Sequence, residues 1–292
     1  MTFKDQKYFA LILGGSGGIG FATAKKLSEQ GMNLCVVFRE RRAEAKIAEE
    51  AFEKLGQLNK VKVLSFNLDA AEKGTIALVC EALKNEAKAG FSVRLLLHSV
   101  SKGNLKPLVE AKEKDFKIEN ESLDHAYNLL IQEQQEFKQS DFFLDSSDFQ
   151  LTLQNMALSL VDWVRVVHEN QLFAGDARVI GLSSEGNQKA WVNYAAVSAT
   201  KAALEAIVRS LALEYAPYGI RSNIVQAGIT DTASLRKIPG NAYLKAGAIF
   251  RNPFGRLTQT EDVANAIYLL CRDEASWING AIIPVDGGER IC

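Results

Sequence analysis

The 292-residue chain has little of what marks several protein classes. Its four cysteines, Cys35, Cys80, Cys271 and Cys292, are scattered without the spacing of a disulfide framework or a metal site, so we predict no disulfide and no metal. The formal net charge of −1 provides no basic field for a nucleic-acid partner. The N-terminal residues lack the plan of a signal peptide, and no apolar run reaches the ~18 residues that span a bilayer. We therefore expect a cytoplasmic protein of a reducing compartment.

Short apolar runs alternate with helical patterns along the chain. The runs predicted as strands are Tyr8–Leu13, Asn33–Phe38, Lys62–Phe66, Val93–His98, Arg178–Leu182, Arg221–Gln226 and Ala281–Val285. The helical patterns lie at Ile19–Gln30, Arg42–Leu55, Ala70–Ala87, Leu151–Glu169, Tyr194–Tyr215 and Glu261–Cys271. Most strand runs are continuously apolar, as in strands buried on both faces. This order predicts an α/β fold with a doubly wound parallel sheet of about seven strands, in a single domain over residues 1–292.

Two segments depart from this alternation. Residues 105–150 hold 11 acidic residues and five lysines, and we predict a mostly helical insertion with a helix over Asp124–Lys138. The insertion either borders the active-site mouth or is a solvated excursion without a role. Residues 232–256, rich in glycine and proline, are predicted to form a mobile substrate lid. Three lid residues are candidates either for an acyl tunnel or for plain packing: Tyr243, Ile249 and Phe250.

A glycine-rich turn follows the first predicted strand and opens the first helix. It reads GGSGGIG over residues 14–20. Glycines let the backbone approach a pyrophosphate whose charge faces the helix N-terminus. Such a turn alone is a weak signal, but its position between a strand and a helix is the one that a dinucleotide site requires. We predict cofactor contacts from Gly14, Ser16, Gly18, Ile19 and Gly20.

The tip of the second predicted strand indicates which nicotinamide cofactor binds. An NAD site usually carries an acidic residue there, whereas this chain reads FRERR over residues 38–42. Arg39 and Arg41 can pair with a 2′-phosphate, so we predict NADPH (NADP) rather than NADH. A solvated helix start at this position would leave that choice open. After the third strand, Asn67 and Leu68 are placed to contact the adenine.

Candidate catalytic residues follow the fifth predicted strand. Ser184 ends this strand, and Tyr194 and Lys201 lie on the next helical pattern. Open α/β sheets bind ligands at the carboxyl ends of their strands. Tyr194 and Lys201 are separated by close to two helical turns, so their side chains share a face. Because an ammonium near a phenol favours phenolate, we predict that Lys201 lowers the pKa of Tyr194 and also holds the ribose of a nicotinamide nucleotide.

Taken together, these motifs resemble the short-chain dehydrogenase/reductase family. The glycine turn, Ser184, Tyr194 and Lys201 are joined by Gly228…Thr232 and by DGG at residues 286–288, so the resemblance spans residues 14–288 apart from the acidic insertion. It implies a Rossmann-type fold, a nicotinamide cofactor and a homotetramer. The further cofactor contacts that we expect come from His98, Ser99, Gly228, Thr230 and Thr232.

Two departures from the common family pattern indicate the activity. Most of the family has Tyr-x3-Lys, but Val197 stands at that position and the spacing here is Tyr194-x6-Lys201. Most of the family also has Asn-Asn-Ala-Gly after the fourth strand, where this chain reads HSVS over residues 98–101. Both departures look like the NADPH-dependent enoyl-acyl-carrier-protein reductase branch. The resemblance implies reduction of the 2,3 double bond of enoyl thioesters, on acyl carrier protein or coenzyme A, in fatty acid synthesis.

The displaced tyrosine has a chemical rationale. Hydride enters the β-carbon of an enoyl thioester, and negative charge develops on the thioester oxygen two carbons away, so the donor must move from its place in a ketoreductase. We predict Tyr194 as that donor, Lys201 as the ribose anchor and Ser184 as a second donor, unless backbone groups satisfy this serine. A reductase of 3-oxoacyl thioesters or other carbonyls is the alternative enzyme. A nucleotide-sensing or scaffold protein is the non-enzymatic alternative.

Overall fold

A computed structural model describes residues 1–110, 118–134 and 142–292. The described residues form one parallel sheet of seven strands in the order β3-β2-β1-β4-β5-β6-β7. The strands are β1 Tyr8–Leu13, β2 Asn33–Phe38, β3 Val63–Asn67, β4 Ser92–His98, β5 Phe173–Ser184, β6 Ile220–Ala227 and β7 Ile282–Val285. All seven predicted strands are confirmed. The fifth is longer than predicted, because it continues beyond its apolar run at both ends.

Helices flank both faces of this sheet. They are α1 Gly18–Glu29, α2 Arg42–Asn59, α3 Lys73–Ala87, α4 Glu121–Gln134, α5 Ser146–Leu153, α6 Ser159–Glu169, α7 Ala195–Glu214, α8 Asn241–Arg251 and α9 Thr260–Cys271. The helix predicted over Leu151–Glu169 is in fact two helices, α5 and α6, joined by a π turn at Gln154–Leu158. Among the described residues, no helix combines the length and the apolar content needed to cross a membrane.

The core has two layers because successive strand residues point to opposite faces. On β1, Phe9, Leu11 and Leu13 pack with α3, α6 and α7, whereas Ala10 and Ile12 pack with α1, α2 and α9. Both faces of the central strands are therefore covered, which explains the continuous apolar runs in the sequence. The predicted doubly wound α/β fold is confirmed.

The order of the strands reverses between β1 and β4. Strands β2 and β3 lie on one side of β1, and β4 to β7 lie on the other. At the carboxyl ends of β1 and β4, Leu13 pairs with His98, and the amide of Ser99 donates to Leu13 O at 2.8 Å. The carboxyl ends of β1 and β4 thus open a crevice at the point where doubly wound sheets bind ligands.

The acidic insertion contains helix α4 and the start of α5, and its other described residues are not helical. The predicted helix Asp124–Lys138 corresponds to α4, Glu121–Gln134, and its predicted residues 135–138 lie outside the described residues. Helix α4 contacts α8, which belongs to the predicted lid. The insertion then returns to the body of the protein through Asp148 on α5, which accepts hydrogen bonds from Lys106 at 2.9 Å. This placement favours the reading in which the insertion borders the mouth of the site.

A cluster of three arginines lies at the other end of the strands, away from the crevice. Arg94, Arg178 and Arg221 lie on the neighbouring strands β4, β5 and β6, and all three pair with Asp176. Arg94 and Arg178 also donate to carbonyls at the C-terminal end of α9, which carries partial negative charge. Partial burial alone would raise the pKa of Asp176, but the bonds and charges of the arginines hold that pKa below its usual value.

Candidate active site

The glycine turn is shaped so that side chains would not fit. Gly14 has φ +86°, and a Cβ on it would lie 2.5 Å from Ser99 O. A Cβ on Gly20 would lie 2.2 Å from Gly14 O, so helix α1 packs directly on the turn. No side chain caps the N-terminus of α1, whose first amides are therefore available to an anion. The turn and the helix end together fit the pyrophosphate of a dinucleotide.

The residues after β2 and β3 form the adenosine end of the crevice. Arg39 donates to Asp69 Oδ2 at 2.8 Å, and its side chain is 62% exposed, so the guanidinium is accessible to a phosphate. Ser16 Oγ donates to Glu40 Oε1 at 2.8 Å. The amide of Asn67 exchanges two hydrogen bonds with the backbone of Glu40, which fixes the β2 loop and leaves less of that amide for an adenine.

Three more of the predicted cofactor residues flank this end of the crevice. Leu68 is 36% exposed, as a residue that packs on an adenine requires. Ile19 is half-buried in the first turn of α1. Arg41 is exposed at the N-cap of α2, where its guanidinium is open to solvent.

His98 lies at the carboxyl end of β4 but turns its imidazole into the protein. Its Nε2 lies 2.8 Å from Ser159 Oγ, and Ser159 lies 2.8 Å from the Asn155 carbonyl, which can only accept. This pattern assigns the ring hydrogen of neutral His98 to Nε2. Burial, with the nearby charge of Lys201, lowers the pKa of His98 to about 3. A buried ring held neutral in this way shapes the pocket rather than exchanging protons in it.

The predicted catalytic residues lie near the carboxyl end of β5, where Tyr194 faces Ser184 and Lys201 contacts the strand itself. Tyr194 is the N-cap of α7 rather than its first residue, and its carbonyl accepts the amide of Ser198 at 2.8 Å to close the first turn. Lys201 lies on α7 and donates to Leu182 O on β5 at 2.7 Å. Both side chains are buried. The Oγ of Ser184 is buried without a well-formed hydrogen bond to any described group, and it faces the phenol.

The electrostatics of this pair differ from the sequence-based prediction. Burial raises the pKa of Tyr194, and the Ser184 hydroxyl only partly opposes this rise. Burial also lowers the pKa of Lys201 to about 8, against the charge of Glu205, which raises it. The predicted lowering of the Tyr194 pKa by Lys201 is therefore wrong for this structure. The Lys201 ammonium is directed at the Leu182 carbonyl, and burial removes water from around the Tyr194 phenol, which disfavours phenolate.

Sequence reasoning missed Gly186 and Trp191. A Cβ on Gly186 would lie 2.5 Å from Tyr194 Cε1, so the phenol ring packs directly on this glycine. The Trp191 ring lies 5.1 Å from the Tyr194 ring, centroid to centroid. These two residues restrict the orientation of the phenol ring. The sequence offered only a glycine two residues after Ser184 as a signal.

The loop after β6 lies across the crevice from the glycine turn. Thr230 Oγ1 donates to Gly228 O at 2.9 Å, and the amide of Ile229 donates to Glu289 Oε2 at 3.1 Å. A Cβ on Gly18 would lie 3.4 Å from Thr232 Cγ2, so Thr232 is next to the start of α1. Glu289 is a further residue that the sequence analysis did not identify, and it holds this loop in place.

An apolar cluster joins the catalytic side chains to the predicted lid. It contains Met156, Tyr194, Val197, Ile229, Leu235, Ile238, Leu244 and Ala248, with Tyr243 and Trp191 packed against it. Val197 is buried here, so the position of the common Tyr-x3-Lys tyrosine is occupied by an aliphatic side chain. The lid segment itself contains α8. The tunnel prediction is wrong for Phe250, which is 91% exposed because it lies on the outer face of that helix.

Two family models together match most of the chain. The one described as short chain dehydrogenase covers residues 8–120, and the one described as Enoyl-(Acyl carrier protein) reductase covers residues 134–289. The chain belongs to the short-chain dehydrogenase/reductase family. The members of this family are oxidoreductases that bind NAD(P)H. The observed crevice, with its glycine turn and uncapped α1, accords with that assignment.

The relatives of this short-chain dehydrogenase/reductase differ in substrate. The cis-4-hydroxycyclohexanecarboxylate dehydrogenase of Sinomonas cyclohexanicum is 39% identical over 115 residues, which are 39% of this chain and 45% of that protein. The 1-cyclohexenylcarbonyl-CoA reductase of Streptomyces collinus is 36% identical over 124 residues, 41% of this chain and 44% of that protein. The chain thus spans less than half the length of these two relatives.

A solved structure supports the Rossmann-type fold of this short-chain dehydrogenase/reductase. The enoyl-[acyl-carrier-protein] reductase (NADH) from Aquifex aeolicus VF5 superposes with a TM-score of 0.72 at 23% identity. The superposition covers 98% of this chain and 97% of the other. At this level of identity the likeness shows the fold alone.

Proposed function

We propose that this protein reduces the 2,3 double bond of enoyl thioesters with NADPH. The observation that carries this proposal is the replacement of the Tyr-x3-Lys tyrosine by the buried Val197, which leaves Tyr194 as the phenol beside Ser184. The apolar cluster around Tyr194 also suits an acyl chain rather than a polar substrate. The name of the Streptomyces relative describes reduction of a cyclohexenylcarbonyl-CoA, which supports the same reaction type.

The chain's own residues would stabilise the charge that develops on the thioester oxygen. NADPH, when bound, supplies the hydride that enters the β-carbon. Because burial raises the pKa of Tyr194, the phenol stays protonated at neutral pH and can donate a hydrogen bond to that oxygen. Ser184 Oγ, which has no other well-formed bond among the described residues, would donate a second one. The α-carbon then takes a proton from solvent, which completes the addition of hydride and proton across the double bond.

Lys201 has a positioning role toward the cofactor in this proposal. Its ammonium has three donors, and the Leu182 carbonyl takes one of them at 2.7 Å. The other two would bind the ribose hydroxyls of the nicotinamide nucleotide. Arg39, which is accessible after β2, would bind the 2′-phosphate of NADPH, and the glycine turn would hold the pyrophosphate.

A side-by-side assay tests the reaction. Purified protein is supplied with NADPH and either a crotonyl or an acetoacetyl thioester, each on coenzyme A and on acyl carrier protein, and loss of NADPH absorbance is followed. We expect turnover with the crotonyl thioester. Turnover with the acetoacetyl thioester alone would show a carbonyl reductase instead.

Variants test the assignment of the donor. Tyr194→Phe should lower kcat about 100-fold or more, since removing one donor to a developing oxyanion costs roughly 10²–10³ in rate. Tyr218→Phe is the matched control because Tyr218 is 60% exposed and remote from the apolar cluster. Undiminished turnover in Tyr194→Phe would refute the role of this phenol.

A further inference from the structure

A buried ion-pair network lies directly behind Ser184. Glu185 is 7% exposed and Glu289 is 1% exposed. Arg251, the last residue of α8, donates to Glu185 Oε1 at 2.8 Å and to Glu289 Oε1 at 3.1 Å. Lys189 Nζ completes the network with a bond of 2.6 Å to Glu185 Oε2. We refer to Arg251, Glu185 and Glu289 as the Arg251 bridge.

The three members of the Arg251 bridge come from three different walls of the candidate site. Glu185 continues the chain from Ser184 at the end of β5. Glu289 accepts the amide of Ile229 at 3.1 Å and so holds the loop after β6. Arg251 ends the lid helix α8, which packs Ala248 into the apolar cluster around Tyr194. One guanidinium therefore joins the lid to both loops that flank the reacting groups.

Burial makes this bridge different from the other ion pairs of the lid. The Arg236–Asp231 pair has side chains that are 62% and 41% exposed, and exposed pairs contribute little to stability. In the Arg251 bridge, the two carboxylates are shielded from water, and without the guanidinium they would face each other with only Lys189 as compensation. The observed position of α8 is thus the arrangement that satisfies both carboxylates.

We propose that Arg251 is a positioning residue that fixes α8 against the Ser184 loop and thereby sets the affinity for the acyl part of the substrate. This inference rests on the proposed function, because the acyl thioester is the substrate assigned there. Arg251 acts through Glu185 and Glu289. Loss of the Arg251 side chain should free the C-terminal end of the lid, whereas the loop after β6 keeps its own hydrogen bond from Ile229 to Glu289.

Kinetic constants of matched variants test the proposal. Arg251→Met should raise KM for crotonyl thioester about tenfold, as expected when a buried charge-assisted hydrogen bond is lost, with KM for NADPH within about twofold of wild type. Arg251→Lys, which keeps the charge, should recover part of this loss. Arg272→Met is the control, since it removes an exposed arginine–glutamate pair at the other end of the strands, away from the candidate site. Arg251→Met combined with Glu185→Gln should be no worse than Arg251→Met alone, because the ion pair of Glu185 with α8 is already lost when Arg251 is removed.

Hydrogen exchange of the ligand-free protein tests the same contact without any turnover. In Arg251→Met the amides of residues 241–251 should exchange at least about fivefold faster, with those of β1 and α1 unchanged. An unchanged acyl KM together with unchanged exchange in α8 would overturn the proposal. Equal acceleration of exchange in all elements would also overturn it, since that result describes a general loss of stability. If no enoyl thioester is reduced by the wild type, the proposed function fails and the exchange experiment still decides whether Arg251 holds the lid.

Discussion

The buried His98 makes a quantitative prediction about stability in mild acid. Its pKa in the folded protein is about 3, against an ordinary value of 6.5, because the ring is desolvated. Well above pH 6.5 the ring is neutral in both the folded and the unfolded chain, so its contribution to the free energy of unfolding is fully present. Below that pH the unfolded chain takes up a proton that the folded protein does not, and stability falls as the pH approaches 3.

The magnitude follows from the two pKa values. Integrating proton uptake from pH 7.5 to pH 5 gives a loss of about 2 kcal/mol, and this figure changes little if the folded-state pKa is one unit higher. His98→Asn has no titratable ring and should not lose this part of its stability. We therefore expect the stability of the wild type relative to His98→Asn to fall by about 2 kcal/mol over this range. Other acidic groups contribute equally to both proteins and cancel.

Urea unfolding followed by tryptophan fluorescence at fixed protein concentration measures this difference at several pH values. His125→Asn is the matched control, because it removes an exposed histidine on α4 and leaves the buried ring in place. A difference between wild type and His98→Asn that does not change between pH 7.5 and pH 5 would refute the reasoning. That result would mean that the ring takes up a proton inside the folded protein.

Three other substitutions have expected outcomes. Gly186→Ala places a methyl group 2.5 Å from Tyr194 Cε1, so kcat should fall at least about tenfold in steady-state assays with little change in the KM for NADPH. Arg39→Ala should raise KM for NADPH about tenfold and leave KM for NADH unchanged, because the proposed contact with the 2′-phosphate would be lost. Asp176→Asn should lower the free energy of unfolding by about 2–3 kcal/mol in urea, since three arginines lose their shared carboxylate.

Each of these three has an outcome that contradicts it. Gly74→Ala, where a Cβ meets nothing within 4 Å, is the control for Gly186→Ala, and equal kcat in the two variants would show that the phenol tolerates displacement. Equal rises in KM for NADPH and NADH in Arg39→Ala would place Arg39 elsewhere than at the 2′-phosphate. Unchanged urea stability in Asp176→Asn would show that the other partners of the arginines, which are backbone carbonyls and Asp273, satisfy them without Asp176.

The sheet was predictable because its strands are buried on both faces and leave continuous apolar runs. β1 and β2 have the predicted bounds for this reason. Helix ends were less predictable, since capping contacts override local pattern. Helix α5 begins at Ser146 because Asp145 and Asp148 form a reciprocal capping box, which the apolar period alone does not reveal.

The grouping of the candidate residues was easier to predict from the sequence than their electrostatics. Ser184 ends β5, Lys201 donates to Leu182 on the same strand, and Tyr194 lies at the start of the next helix facing Ser184, as their order along the chain indicates. The direction of the Lys201 ammonium depends on the Leu182 carbonyl, which is remote in sequence. The burial that raises the pKa of Tyr194 comes from residues on several elements, including Ile229 and Leu244. A pattern of local spacing contains none of this information.

The π turn between α5 and α6 has a consequence for comparing this protein with its relatives. Because a π turn closes over five residues instead of four, the chain at Gln154–Leu158 holds one residue more than a regular helix of the same rise would need. A sequence alignment that treats this segment as a regular α-helix would assign Asn155 to a neighbouring position on the helix surface. Equivalences proposed around this asparagine should therefore be read from superposed backbones, with the extra residue treated as a local insertion.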